Sequence, residues 1–217
     1  MLKEQYFTEQ NAKSKVKQWE KQLCPYRKRG RELNLQNSAL LIIDMQNYFL
    51  DKKSHAFVPA SSLVVKNIKK VLSFYRKECL PVIFTYFAVT KSETDPILKW
   101  WGDTVYEGSI QSRIIRELRF QSNEIVIRKR SYSAFYKTKL EQILKSKKIK
   151  EIVITGVLTN LCCETTARDA FARGFQVFFP ADATAAYTEE MHLATLKNLS
   201  YGFATPFFVE KLLKNDL

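Results

Sequence analysis

The chain has 217 residues, of which 46% are hydrophobic and 26% charged, a composition that supports one domain with a substantial core. No apolar run approaches the length that spans a bilayer, and the polar start of the chain lacks the apolar segment of a secretion signal. We therefore expect a cytoplasmic protein that does not associate with membranes. In that reducing compartment, disulfides among its four cysteines are not expected.

The formal net charge of +13 includes two basic runs, residues 26–31 and 145–150. Such runs can form a patch for nucleic acid or for another anionic surface. Both are short and lack the interleaved aromatic residues that stack on bases, so we favour a solvated surface and do not expect nucleic-acid binding. An anionic substrate is a third explanation, which charge alone does not separate from the others.

Residues 1–37 are predicted to form a polar amino-terminal arm, in which Trp19 and Leu23 anchor a short helix on the body or on a neighbouring subunit. Strand and helix signals then alternate over residues 38–217, the predicted main domain. The predicted strands are 39–43, 81–87, 124–127, 151–155, 175–179 and 206–209, and the predicted helices are 61–78, 108–119, 136–146, 161–173 and 188–201. This alternation predicts a three-layer α/β/α fold with a mostly parallel, six-stranded Rossmann-like sheet.

Catalytic groups of parallel sheets lie beyond the carboxyl ends of the strands. Asp44 follows the first predicted strand, Lys129 follows the third, and Cys162 lies in the first turn of the helix after the fourth. Each residue taken alone also has an ordinary structural explanation. Asp44 could cap a helix, Lys129 could lie in a solvated loop, and Cys162 could be a small buried side chain. Together an acid, a lysine and a cysteine at one edge indicate a nucleophile with its base. The helix start and Lys129 are expected to lower the thiol pKa.

Over roughly residues 38–210 the chain resembles the isochorismatase-like cysteine hydrolases. The resemblance rests on Leu-Leu-Ile-Ile-Asp-Met-Gln at 40–46 and on Lys129 followed by Tyr-Ser-Ala-Phe at 132–135. It rests further on Gly-Val-Leu-Thr-Asn-Leu-Cys at 156–162, followed by Thr-Thr-Ala-Arg-Asp-Ala at 165–170. Asp182 and His192 also match, although we expect them to hold the structure rather than to do chemistry.

The resemblance implies a mechanism for a small-molecule substrate. Cys162 attacks an amide-type carbonyl, Asp44 takes and returns the proton, and Lys129 stabilises the charged pair. The backbone amides of Leu158 and Cys162 form the oxyanion hole, next to a cis peptide bond that the family usually has, here between Val157 and Leu158. No cofactor is implied.

Metal-dependent nicotinamidases of this family carry an Asp-x-His cluster after the second strand. Here residues 85–90 contain no histidine, and the only histidines of the chain are His55 and His192. We therefore expect no catalytic metal, and the pattern disfavours a nicotinamidase.

True isochorismatases are the main alternative, because they share the stretch Asp-Met-Gln-x-Tyr-Phe, here at 44–49. They hydrolyse a vinyl ether by protonation from the aspartate and need no thiol. Cys162 therefore favours C–N hydrolysis of a small amide, carbamoyl or ureido compound. A former hydrolase that binds a partner through its basic face is a third hypothesis, against which the retention of all three candidate residues argues.

Aromatic and polar residues near the candidate triad are predicted to bind the substrate, although a core or an interface would use the same side chains. They are Gln46, Phe49, Trp100, Trp101, Tyr132 and Phe135. The resemblance also implies a homo-oligomer, a dimer or tetramer. The arm with Trp19 and the aromatic stretch 97–107 are its candidate contacts.

Overall fold

The strand Ser38–Ile43 (β1) lies inside the sheet, and all six of its residues are buried. The computed structural model describes residues 2–27, 30–93 and 96–214. In it, β1 has a parallel neighbour on each side, and helices cover both faces of the sheet. This double cover explains why β1 is apolar at almost every position rather than alternating.

Within the described ranges the sheet has seven strands rather than the predicted six. In chain order they are Ser38–Ile43 (β1), Val82–Phe87 (β2), Ile125–Lys129 (β3), Glu151–Val157 (β4), Gln176–Pro180 (β5), Thr184–Ala185 (β6) and Ala204–Phe207 (β7). Their order is β3-β2-β1-β4-β5-β7, with β6 paired to the end of β4, and every pairing is parallel. The additional strand is β6, whose two residues are too few to produce a sequence pattern.

Eight α-helices connect and cover these strands in the described part of the chain. They are Ala12–Leu23 (α1), Asn47–Leu50 (α2), Ser61–Lys77 (α3), Pro96–Trp101 (α4), Leu140–Ser146 (α5), Glu164–Ala172 (α6), Glu189–Gly202 (α7) and Val209–Leu213 (α8). The predicted helix 161–173 is divided, because a π-helical turn at Thr159–Cys163 precedes α6. None of the helices in the described ranges is long and apolar enough to cross a membrane.

The predicted helix over 108–119 is wrong, because this segment pairs with the chain just after β1. The Asn47 amide donates to the carbonyl of Arg113 (3.0 Å), and the Ile115 amide donates to the carbonyl of Met45 (2.9 Å). These bonds to a distant segment replace the local bonds of a helix. Ile115 and Leu118 of this stretch therefore reach the core without an α-helix, whereas Ile110 is exposed.

The amino-terminal arm packs on its own domain. Trp19 and Leu23 are fully buried, as the sequence predicts. Trp19 Nε1 donates to Glu189 Oε1 of α7 (2.7 Å), and the Glu4 amide donates to the carbonyl of Tyr187 (2.8 Å). This burial removes Trp19 from the candidate contacts with a neighbouring subunit.

The two basic runs differ in how much of them the structure describes. Lys28 and Arg29 of the first run lie outside the described residues. In the second run, Lys147, Lys148 and Lys150 are exposed, as a solvated surface requires.

Candidate active site

Asp44 lies directly after β1 at the carboxyl edge of the sheet and is fully buried. Its amide donates to the carbonyl of Thr85 on the neighbouring strand β2 (3.2 Å). The Thr85 hydroxyl in turn donates to Asp44 Oδ1 (2.8 Å). Because a charge-assisted hydrogen bond is short and directional, Thr85 fixes the orientation of the carboxylate.

Gly156 of β4 allows the close approach that places Asp44. Its φ is +117°, and a Cβ at this position would lie 2.0 Å from the carbonyl oxygen of Ile43. A Cβ atom cannot lie so close to a carbonyl oxygen. A glycine is therefore required where β4 passes the last residue of β1.

Lys129 ends β3 and reaches the same edge of the sheet from two strands away. Its Nζ lies 2.7 Å from Asp44 Oδ2 and donates to the Ser131 carbonyl (2.8 Å). Burial alone would lower the pKa of Lys129, but the negative charge of Asp44 and the neighbouring Cys162 outweigh it and raise that pKa. The lysine is therefore a fixed positive charge beside the carboxylate.

Cys162 lies in the π-helical turn after β4, with Lys129 Nζ donating to its Sγ at 3.3 Å. Burial has the largest effect on the thiol and raises its pKa to about 12, against the opposing influence of Lys129. The expectation of a lowered pKa is therefore wrong for the resting site, because desolvation outweighs the cation. A buried neutral thiol needs a base before it can attack, and Asp44 is the adjacent carboxylate.

The turn that carries Cys162 is also in contact with His192 of α7. The Thr159 hydroxyl lies 2.9 Å from His192 Nδ1, and both residues are buried. Burial lowers the pKa of His192 to about 3, so the ring is neutral. Its position against Trp19 of the arm, with ring centroids 4.9 Å apart, agrees with a core histidine rather than a ligand.

The peptide bond between Val157 and Leu158 is cis, as the resemblance implies. Leu158 and Cys162 both line one pocket of about 180 Å³ at the edge of the sheet. The assignment of their backbone amides as an oxyanion hole stays a prediction.

This pocket is mostly apolar and aromatic. Its lining consists of Lys3, Tyr48, Phe49, His55, Ala56, Phe87, Ile97, Trp101, Asp103, Thr104, Tyr132, Leu158, Leu161, Cys162 and Tyr187. Trp101 Nε1 donates to the hydroxyl of Tyr132 (2.7 Å), which joins two of the aromatic walls. A volume of this size and flat aromatic walls favour a small planar ligand.

Of the residues predicted to bind the substrate, Phe49, Trp101 and Tyr132 line this pocket. The other three lie elsewhere. Gln46 is buried, and its amide group forms two hydrogen bonds with the backbone of Phe87 (2.8 and 2.9 Å).

Trp100 is 80% exposed and does not line the cavity that contains the thiol. Phe135 packs in the core against Phe175, with ring centroids 6.0 Å apart. Aromatic residues close to a motif in the sequence thus lie in the pocket, on the surface or in the core. Closeness in the sequence alone does not show which of them line the pocket.

Several residues at the site were not predicted. Thr85 orients Asp44, and its signal in the sequence is a hydroxyl inside the apolar strand 82–87. Lys3 and Thr104 line the pocket, but they come from the arm and from an irregular segment, which carry no such signal.

Among the residues that the structure describes, no group of three or more histidine, cysteine or acidic side chains is arranged to hold a metal ion. Each of the four cysteines is a free thiol. The absence of a catalytic metal stays a prediction, which chelation tests below.

A protein-family model described as "Isochorismatase domain" matches residues 38–210. Nicotinamidase 3 of Arabidopsis thaliana is 41% identical over 197 residues, which cover 88% of this chain and 95% of that protein. Enterobactin synthase component B of Escherichia coli (strain K12) is 33% identical over 180 residues, which cover 82% of this chain and 63% of that longer protein. The solved structure of N-carbamoylsarcosine amidase from Thermoplasma acidophilum matches with a TM-score of 0.72 and 29% identity, over 80% of this chain and 97% of that one.

Proposed function

Because the chain belongs to the isochorismatase-like hydrolase family, we propose that it hydrolyses the C–N bond of a small planar amide. Cys162 is the nucleophile, Asp44 the proton carrier and Lys129 the charge that stabilises both. One observation carries this proposal. Lys129 Nζ lies 2.7 Å from Asp44 Oδ2 and 3.3 Å from Cys162 Sγ, beside an aromatic pocket.

In the first half-reaction, Asp44 accepts the thiol proton while Cys162 Sγ bonds to the amide carbon. The carbonyl oxygen becomes negative and is stabilised by the backbone amides of Leu158 and Cys162. When the C–N bond breaks, Asp44 gives the proton to the leaving nitrogen, and a thioester on Cys162 remains.

In the second half-reaction, Asp44 accepts a proton from water, whose oxygen bonds to the thioester carbon. The C–S bond breaks, the acid leaves, and the proton returns to Cys162. Lys129 stays protonated throughout, because its neighbours raise its pKa. It therefore favours the carboxylate and the thiolate in turn without exchanging a proton.

The substrate class follows from the pocket and from the comparisons. Aromatic walls suit a ring, and a protein named Nicotinamidase 3 is 41% identical to this chain. That similarity argues against our expectation that the chain is not a nicotinamidase. The expectation rested only on the absence of the Asp-x-His motif of the metal-dependent enzymes. Nicotinamide is therefore the first amide to test.

The test is an activity screen with nicotinamide, N-carbamoylsarcosine, ureidoacrylate and isochorismate. We expect amide turnover by the wild type, loss of turnover in Cys162→Ala, and unchanged turnover after exhaustive chelation. Alkylation mapping provides a control, because Cys162 lines the pocket and Cys163 is fully buried outside it. Iodoacetamide should modify Cys162 well before Cys163, and substrate should protect Cys162.

Isochorismate hydrolysis is the second candidate, favoured by the family model described as "Isochorismatase domain". In that reaction Asp44 protonates the vinyl ether, and no thiol is needed. Full activity of Cys162→Ala, with none in Asp44→Asn, would establish this candidate in place of the amidase. The cytoplasmic location and the homo-oligomeric state stay predictions alongside the function.

A further inference from the structure

The turn that carries Cys162 is anchored through a buried side chain outside the pocket. Thr159 begins the π-helical turn Thr159–Cys163, between Leu158 and Cys162, whose backbone amides are the predicted oxyanion hole. Such turns are rare in proteins and frequently occur at functional sites. The Thr159 hydroxyl lies 2.9 Å from His192 Nδ1 of α7, and both side chains are fully buried. This contact therefore fixes the start of the turn.

His192 is packed in turn against the amino-terminal arm. The ring centroids of Trp19 and Tyr6 lie 4.9 and 5.7 Å from that of His192. Trp19 Nε1 donates to Glu189 Oε1 in the first turn of α7 (2.7 Å), and Glu4 Oε2 accepts from the Glu189 amide (3.0 Å). The first amides of a helix have no partner within it. The arm therefore holds the end of α7 from which His192 reaches the turn.

The chemistry is sensitive to the position of this turn. Cys162 Sγ lies 3.3 Å from Lys129 Nζ, and a shift of about 1 Å at a reacting group can cost roughly 10²-fold in rate. Burial raises the pKa of the thiol, and the positive charge of Lys129 opposes that effect. A thiol displaced from Lys129 would therefore be less reactive as well as misplaced.

We propose that His192 is a positioning residue for the turn that carries Cys162, and that the amino-terminal arm acts on catalysis by holding His192. The inference rests on the proposed function, in which Cys162 is the nucleophile. The arm precedes the segment 38–210 that matches the family model. An element outside the family domain therefore contributes to the geometry of the active site.

The test removes each partner of the buried contact. His192→Leu and Thr159→Val should each lower kcat roughly 10-fold, the scale of one buried hydrogen bond, with little change in KM. Thr159→Ser keeps the hydroxyl, and His192→Asn keeps a polar group near the position of Nδ1, so both should retain most of kcat. The double variant should be no slower than either single variant, because both remove one contact. Unchanged kcat in the single variants, or fully additive losses, would overturn the role of His192.

Tyr75→Phe is the matched control for a lost buried contact. Tyr75 of α3 is fully buried like His192, and its hydroxyl lies 2.9 Å from Ser38 Oγ, at the opposite end of β1 from Asp44. This variant should lower the free energy of unfolding and leave kcat unchanged. A loss of kcat equal to that of His192→Leu would show that lost stability alone lowers the rate, and would overturn the positioning role.

Trp19→Phe tests whether the arm acts through His192. It keeps an aromatic ring in the core and removes the Nε1 donor to Glu189. We expect kcat to fall roughly 3- to 10-fold in the single variant. Combined with His192→Leu, it should cause no further loss. A full additional loss in the double variant would overturn the role of the arm.

Alkylation of Cys162 by iodoacetamide separates this inference from the amidase proposal, because it needs no substrate. At a fixed pH we expect His192→Leu to slow this reaction roughly 10-fold, since a displaced thiol loses the positive charge of Lys129. Slower alkylation in the variant, without amide turnover by the wild type, would support the positioning role and overturn the amidase. Amide turnover with unchanged or faster alkylation in His192→Leu would overturn the positioning role alone.

Discussion

At the scale of single residues, Asp44 and Cys162 are expected to act as one unit. Asp44→Asn keeps the shape of the side chain and removes the base, so activity should fall by about 10²–10⁴, the usual contribution of general acid–base catalysis. Cys162→Ala removes the nucleophile. The double variant should be little slower than Cys162→Ala, because groups that act in one step are not additive. Steady-state kinetics on one substrate measures this, and fully additive losses would argue for independent roles.

Thr85 provides a second prediction at this scale, since its hydroxyl donates to Asp44 Oδ1 at 2.8 Å. Thr85→Val keeps the volume and removes the bond. Hydrogen bonds to charged groups contribute about 1.5–3 kcal/mol, so kcat should fall roughly 10- to 100-fold with little change in KM.

Thr155→Val is the control for Thr85→Val. Thr155 is equally buried on β4, the neighbour of β1 on its other side, but its hydroxyl donates to the carbonyl of Leu41 (3.3 Å) rather than to Asp44. If both variants lose the same kcat, the effect comes from strand packing and not from the orientation of Asp44.

His192 gives the protein a titration whose sign the structure fixes. Its pKa is lowered by burial from 6.5 to about 3, so in this window the unfolded chain binds a proton that the folded chain does not. The contribution of His192 to the free energy of unfolding is therefore fully present above its pKa in the unfolded chain. It is lost as the pH falls towards 3, by up to about 1.4 kcal/mol per pH unit. In urea unfolding, the free energy of unfolding of His192→Asn should depend less on pH between 6.5 and about 3 than that of the wild type. The exposed His55→Asn is the control, and a profile for it as flat as that of His192→Asn would contradict the assignment.

At the scale of secondary-structure elements, the site depends on how closely β4 passes β1. A Cβ on residue 156 would lie 2.0 Å from the Ile43 carbonyl oxygen, and φ there is +117°. Gly156→Ala should therefore separate the strands next to Asp44, lowering stability by more than about 1 kcal/mol together with activity. Gly174→Ala is informative beside it, because Gly174 also has a positive φ (+86°) but open space around its Cβ position. Equal losses would show that backbone conformation, and not the contact with β1, is responsible.

The elements also explain which parts of the molecule the sequence can predict. The strands β1, β2 and β4 are continuous apolar runs, so they and the residues that follow them, Asp44 and Cys162, are visible in the sequence. The segment 102–115 has no such pattern, because several of its backbone hydrogen bonds go to residues 45–48 and to Val89 rather than to its own neighbours. Thr104 lies in that segment, which is why the clustering of Asp44, Lys129 and Cys162 could be predicted and the pocket around them could not.

At the scale of the whole molecule, the exposed aromatic residues support association between copies. Trp100 is 80% exposed, and Trp101 and Tyr106 of the same 97–107 stretch are also exposed. Large aromatic side chains are enriched in subunit interfaces relative to other surfaces. Since the arm buries Trp19 against its own domain, we favour this stretch over the arm among the two contacts predicted from the sequence.

Sedimentation velocity at micromolar concentration tests this last prediction. We expect a dimer or tetramer in the wild type and a shift towards monomer in Trp100→Lys, because a charge replaces the aromatic side chain at the centre of the proposed contact. Tyr201→Lys is the control, since Tyr201 is similarly exposed at 76% but lies at the end of α7, outside the stretch. A monomer in the wild type would refute oligomerisation. An oligomer that Tyr201→Lys dissociates and Trp100→Lys does not would instead locate the contact at α7.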